Sequence, residues 1–300
     1  MFAAFLLSCA LLLVASLILI SWPRPFGWRL NTHGIPVKDR IVQSGEFVLC
    51  AFGALYLAFE LFRGGRRWLA LALAGLAGAF LANVLYIAAS RTSLVVIPVL
   101  LLFLGFRWFG GKGTFALALA GGALAAIVWI SSPHVQQRIS DISKEAQAYE
   151  TDRKVTSIGL RIDYWTKAAG FIQDAPAIGH GTGTIRQLFD KASAGEASEW
   201  QTANPHNQTL AVGIQLGIMG IALLWALWLS HLLLFIREPG LVAWIGLIVV
   251  VQNVVSSLFN SHLIDFTQGW IYVFGVGVAG GMILRHRTKA ESGADIQRPL

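Results

Sequence analysis

Charge is what this chain has least of. Only 13% of its residues are Asp, Glu, Lys or Arg, against about 25% in soluble domains. With 55% hydrophobic residues and a mean hydropathy of +0.62, that deficit excludes an ordinary soluble domain. Cysteine is scarce too. Cys9 and Cys50 both sit in apolar runs, which excludes a disulfide framework and a cysteine metal site. No Asp-x-Asp motif of the kind that binds metal-complexed nucleotide sugars occurs, and no Ser/His/Asp set stands at a telling spacing. His134, His180 and His262 fit no zinc pattern, and no acidic cluster joins them. The sequence therefore calls for neither a metal nor another cofactor.

What it has in abundance is long apolar runs. Residues 2–20, 45–62, 68–88, 94–109, 114–131, 209–236, 241–260 and 266–284 read as eight transmembrane helices, each able to cross about 30 Å of hydrocarbon. The first lacks a basic leader and a small-residue cleavage site, so it reads as a span rather than a signal peptide. Pro98 interrupts the fourth. The fold class is an all-α integral membrane protein, divided into spans 1–131, a large helical loop 132–207, and spans and tail 208–300. Arg63, Arg66, Arg67, Arg107, Lys112, Arg237, Arg285, Arg287 and Lys289 fall in alternate turns and in the tail. By the positive-inside rule both termini are cytoplasmic and 132–207 lies on the outer side. That loop is nearly neutral, with 8 Lys/Arg and 9 Asp/Glu. The exception is the loop 22–43, with Trp22, Pro23, Trp28, Pro36 and the outer charges Arg24, Arg29, Lys38 and Arg40. The net charge of +7 thus reflects membrane orientation and implies no nucleic acid.

Within the loop, 135–149, 158–173 and a short stretch at 184–191 read as helices. Arg161, Trp165, Ala168, Ala169 and Ile172 share one stripe of the second. Arg161 then heads an otherwise apolar face, with Asp163 and Lys167 on the solvated side. Gly179-His180-Gly181-Thr182-Gly183 is a glycine-rich turn. It suits either phosphate binding or plain turn geometry, and with no strand before it neither a Rossmann nor a P-loop site is supported.

Thr202-Ala203-Asn204-Pro205-His206-Asn207-Gln208 joins this loop to the next span. Asn204 before Pro205 predicts an N-cap with proline at the first helical position. His206 then belongs to the first turn, where the helix dipole disfavours imidazolium and attracts phosphate. It is either a neutral base or a residue that decorates an interfacial cap. Arg91, between Ser90 and Thr92 at the start of a span, is either an anion clamp or a snorkelling arginine. Two arginines and a neutral histidine on one face suit a reaction with a phosphate leaving group and a hydroxyl nucleophile. Asp265 reads as a helix cap or an orienting group, and Gln252 and Asn253 as hydrogen-bonding groups between helices.

Ser90-Arg91-Thr92, Gly159-Leu160-Arg161-Ile162-Asp163-Tyr164-Trp165, Pro176-Ala177-Ile178-Gly179-His180-Gly181-Thr182-Gly183, Asn204-Pro205-His206-Asn207 and Gln215-Leu216-Gly217-Ile218-Met219-Gly220 stand in this order over about 75–235. Together they resemble the O-antigen ligase and O-antigen polymerase family. The resemblance implies a multi-pass glycosyltransferase of the bacterial inner membrane, active on the periplasmic face. It implies an undecaprenyl-pyrophosphate-linked glycan as donor, and lipid A-core, a glycan or a protein hydroxyl as acceptor, without metal or nucleotide sugar. It makes His206, Arg161 and Arg91 catalytic, and adds Trp165, Gly181, Asn204 and Asn207 to the two arginines as substrate-binding residues. The chain departs from the family in its eight spans, where about ten to twelve are common, and in His180, where an aromatic or apolar residue is usual. The alternatives are a transporter or flippase of a lipid-linked anion and an inactive truncated member. Inverted repeats or paired broken spans would favour transport, and the sequence shows neither.

Overall fold

A computed structural model of the chain describes residues 1–22, 34–37, 39–196, 200 and 202–295, the side chains at 120, 124, 128, 134, 138 and 290–295 excepted. Of the loop 22–43, Pro23, Arg24, Trp28, Arg29 and Lys38 fall outside the described residues, as does the side chain of His134. The described chain is all helix: α1 (Phe2–Ser21), α2 (Arg40–Arg63), α3 (Arg67–Tyr86), α4 (Arg91–Ser131), α5 (Pro133–Asp152), α6 (Ser157–Asp174), α7 (Ile185–Ala192), α8 (Gln208–Ile236), α9 (Gly240–Ser257) and α10 (Phe266–Asp295). Seven of these, α1 to α4 and α8 to α10, are long and apolar enough to cross a membrane. The chain is a multi-pass helical membrane protein.

The fourth and fifth expected spans are both contained in α4, whose 41 residues leave helical geometry at Gly110 (φ +61°, ψ −161°). A straight helix would hold residues 101 and 121 about 30 Å apart. Instead a Cβ on Gly121 would stand 3.6 Å from the Leu101 side chain. The second half therefore returns alongside the first. Pro98 does not break the helix, contrary to the sequence expectation; the only non-helical residue within α4 is Gly110.

The chain forms two compact units, 1–135 with 231–252 and 270–300, and 136–230 with 253–269. In the first, a buried polar seam links the membrane helices. The Gln43 amide donates to Asn83 (3.1 Å) and to Gly34 O (3.2 Å), and Asn83 donates to Ser16 (2.8 Å). Ser90, the residue before α4, accepts the Ser93 backbone N–H (3.1 Å), and its hydroxyl meets those of Ser44 and Ser93. Such mutual satisfaction is what makes polar groups tolerable in an apolar bundle.

The second unit is built around Tyr164, Ala168, Ile185, Phe189, Ala211 and Ile214, with Leu160, Phe171 and Ile172 packed on them. Burying Phe189 alone is worth about 1.5–3 kcal/mol. Thr156 caps α6 by accepting the Gly159 N–H at 3.0 Å. The buried face of α6 centres on Tyr164 and Ala168, with Leu160, Trp165, Phe171 and Ile172 partly buried beside them; of the stripe expected from the sequence, Ala169 is exposed. Nor is the Asp163 side solvated. The Asp163 side chain is 5% exposed and lies 2.9 Å from Arg153 and 2.8 Å from Lys167, which in turn reaches Glu196 at 2.8 Å. Arg153 also stacks over Tyr149 and Trp200. The pattern of α6 misleads because Asp163 and Lys167 pair with each other and with Arg153 and Glu196, which offsets part of the cost of taking them out of water.

In α8 the helix is broken at Gly217 (φ +61°, ψ −157°). The backbone groups released there are taken up by 176–181. His180 N–H donates to Ile214 O and Gly181 N–H to Gln215 O (both 2.9 Å), while Ile218 N–H donates to Pro176 O (2.8 Å). A Cβ on Gly217 would meet Ala177 backbone at 2.5 Å, and one on Gly179 would meet Gln215 backbone at 2.4 Å. The glycines at 179 and 217 are therefore required by backbone packed on backbone.

Candidate functional site

The helix start near His206 differs from expectation. α8 begins at Gln208, and its cap is Asn207, whose Oδ1 accepts the Leu210 N–H at 3.1 Å. Asn204 and Pro205 precede the helix. The Asn204 side chain instead accepts the His206 N–H (2.8 Å) in an Asx turn, which sets His206 in the left-handed region at φ +52°. Few non-glycine residues adopt that conformation, so the position is held by its surroundings.

Those surroundings are the turn between α9 and α10. Asn207 Nδ2 donates to Leu258 O (3.0 Å), Ser261 Oγ donates to Asn204 Oδ1 (2.7 Å), and Leu263 N–H donates to Gln208 Oε1 (3.0 Å). His206 Nδ1 lies 2.9 Å from Asn260 Oδ1. From α6, Trp165 Nε1–H donates to Pro205 O at 3.0 Å. The Tyr164 ring stacks on the imidazole, centroids 6.1 Å apart at 24°. Loop, helix and turn thus grip the histidine from three sides.

Burial lowers the pKa of His206 below its ordinary 6.5; the bond to Asn260 opposes the shift and the positive charge of Arg161 reinforces it. A neutral imidazole was expected from the helix dipole, and desolvation is its main cause here. Arg161 and His206 belong to the same unit, and the charge of Arg161 is felt at the imidazole. Burial raises the Tyr164 hydroxyl above its ordinary range, with the Asp163 carboxylate adding to the shift, so that ring stays neutral.

The other expected residues are placed as follows. Arg91 opens α4 in the other unit, half-buried, in the turn that Ser90 caps. Gly181 is exposed, and its N–H is committed to Gln215 O. The N–H groups of Gly179, His180 and Gly183 likewise donate to Ala175 O, Ile214 O and Gln215 Oε1. The glycine-rich turn is therefore a clasp on the broken helix, with four of its five N–H groups already used. Asp265 caps α10 by accepting the Thr267 N–H at 3.0 Å. Gln252 and Asn253 are buried in α9. Among the described residues no three His, Cys, Asp or Glu side chains group closely enough to hold a metal ion.

The family described as O-antigen ligase matches residues 76–225, half of the chain. The chain belongs to the O-antigen ligase family. It is also 26% identical over 195 residues, 59% of its length, to an uncharacterized protein of Haemophilus influenzae. It spans about half the length of that relative, 49%. The family match includes Arg91, Arg161 and His206 and ends before Asn260.

Sequence reasoning missed Tyr164, Asn260 and Ser261. Tyr164 is visible in the 3.6-residue period of α6 once its buried face is known. Nothing in the local sequence marks Asn260, which lies 54 residues from its histidine partner.

Proposed function

We propose that this chain transfers a glycan from an undecaprenyl-pyrophosphate carrier to an acceptor hydroxyl, without metal, at the periplasmic face of the bacterial inner membrane. The acceptor oxygen attacks the anomeric carbon as the bond from that carbon to the pyrophosphate oxygen breaks. His206 takes the hydroxyl proton, and the pyrophosphate leaves carrying the electron pair. A single displacement inverts the anomeric centre. The observation that carries this reading is a histidine held by Asn204, Asn260 and Tyr164, kept neutral by burial, within the field of Arg161. A base must be unprotonated at working pH, and a guanidinium matches phosphate by its forked donors. Arg161 serves the leaving group. Arg91 joins it on the resemblance, and its seat in the first turn of α4 adds the positive end of a helix dipole to its own charge. Trp165, Asn204 and Asn207 act by holding the junction around the base.

The break in α8 favours a second reading, a carrier of lipid-linked anions, since transporters bind substrates at broken helices. In such carriers the helix ends face the substrate. Here the ends at Gly217 are hydrogen-bonded to 176–181, and the enzyme reading is the stronger.

The test incubates purified protein with a defined undecaprenyl-pyrophosphate glycan and lipid A-core, glycan or protein acceptors. His206→Gln should lower transfer by about 10²–10⁴-fold while donor binding persists. The wild-type rate should fall as pH drops through the histidine's pKa, which burial lowers from its ordinary value, because the imidazolium cannot accept a proton. A carrier would move lipid-linked glycan in both forms and make no glycosidic bond. Full transfer by His206→Gln would dismiss His206 as the base.

A further inference from the structure

We infer that Asn260 is a positioning residue that fixes the tautomer of His206, placing the proton on Nδ1 and the basic lone pair on Nε2. The inference rests on the proposed role of His206 as base and adds a partner to that site. The geometry identifies the atoms. Asn260 Oδ1 accepts the backbone N–H of Ser261 at 3.0 Å, so the side-chain atom at that place is the oxygen and not the amide nitrogen. The same oxygen lies 2.9 Å from His206 Nδ1. Two acceptors cannot share a hydrogen bond without a proton, so Nδ1 carries it. A neutral imidazole has one N–H, which leaves the lone pair on Nε2.

The oxygen is well anchored. It sits in the turn 258–263, tied to 204–208 through Leu258, Ser261 and Leu263. The imidazole is aimed at it by the left-handed backbone of His206 and backed by the Tyr164 ring. An amide also suits the charges around it. Arg161 and Tyr164 face His206 from α6 and Asn260 faces it from the turn. A carboxylate at 260 would orient the ring equally but would stabilise the imidazolium, which a base must avoid. An amide orients without charging.

The experiment uses the full chain in lipid nanodiscs with ¹⁵N-labelled histidine. His206→Gln assigns the His206 resonances, and the transfer assay above is run in parallel. Wild type should show His206 as the Nδ1–H tautomer above its titration. Asn260→Ala should lose that tautomer preference and lower kcat by about 10–100-fold, the loss typical of removing an outer orienting partner, with KM for the donor little changed. Asn260→Asp should keep the tautomer, recover most of the rate at high pH, and move the acid limb of the profile to higher pH. A purely structural role for Asn260 would leave the pH profile of the Asp variant where it was. An Nε2–H tautomer in wild type, or an unchanged tautomer in Asn260→Ala, would overturn the inference. If His206→Gln keeps full transfer, the reading of His206 as base fails by itself, and the ¹⁵N spectra of the Asn260 variants still decide the tautomer.

Discussion

Helix α6 carries two polar faces that differ in how their charge is balanced. On one, Asp163 and Lys167 are buried among Arg153 and Glu196 at 2.8–3.6 Å, with both signs present and matched. On the other, Arg161 acts on a neutral histidine, and the groups that bind that histidine's backbone and ring are amides and a phenol ring. The first face is electrostatically closed and has nothing to offer a ligand. On the second, the charge of Arg161 is felt by a neutral base that uncharged groups hold. The first face holds the loop together, and the second carries the proposed base.

Asp163→Ala should break the first face with the largest effect. It leaves Lys167, 16% exposed, and Arg153 facing each other across one remaining carboxylate. Removing one member of a buried charged group costs about 3–5 kcal/mol. Thermal unfolding followed in detergent should shift down markedly, while the folded fraction keeps the wild-type pH profile for transfer. A variant that unfolds normally but transfers poorly would mean that the two faces are not separate.

Arg161→Lys tests the second face. It keeps the charge and loses the fork. Transfer should fall by an amount corresponding to about 2–4 kcal/mol, as for comparable preorganised donors, with the melting temperature nearly unchanged. Near-wild-type transfer at equal abundance would remove Arg161 from the site.

Glu196→Gln should have the smallest effect, under about 1 kcal/mol, since this side chain is 30% exposed and such pairs contribute little. Its sign with pH is defined. The bond from Lys167 holds the Glu196 carboxyl below its ordinary 4.5, so its contribution is complete above that pH and is lost as pH falls through the lowered value. For Lys167, burial works against the charged form, but the bonds to Asp163 and Glu196 outweigh it and raise the pKa above 10.5. That contribution is complete below pH 10.5 and is lost as pH rises beyond the raised value. Melting temperatures of wild type and Glu196→Gln should therefore converge in acid.

Two glycines show how far a sequence can be read. Gly110 and Gly217 share nearly the same backbone angles. The first has open space where a Cβ would stand, and the second has Ala177 backbone at 2.5 Å. One turns a chain back along itself, and its neighbours Arg107 and Lys112 marked a boundary in advance. The other breaks a helix in the middle of an apolar run, and the segment that stabilises the break comes from about 40 residues earlier. Gly217 stood within a family-like stretch without any local reason for a break.

The sequence by itself determined the apolar runs of the membrane helices and the helices of the loop. Each of these follows from runs and periods of about 20 residues, where hydrophobicity and backbone propensity act locally. Only the tertiary structure decided that α8 starts at Gln208 with Asn207 as its cap, that Asp163 is buried against Lys167, and that Asn260 binds His206. A cap is chosen by the bonds its neighbours can make, and the turn 258–263 supplies those bonds here. A charge is buried or solvated according to its partners, and Arg153 and Glu196 are the partners here. The proton on a histidine is placed by whichever atom meets its ring, and that atom arrives from 54 residues away.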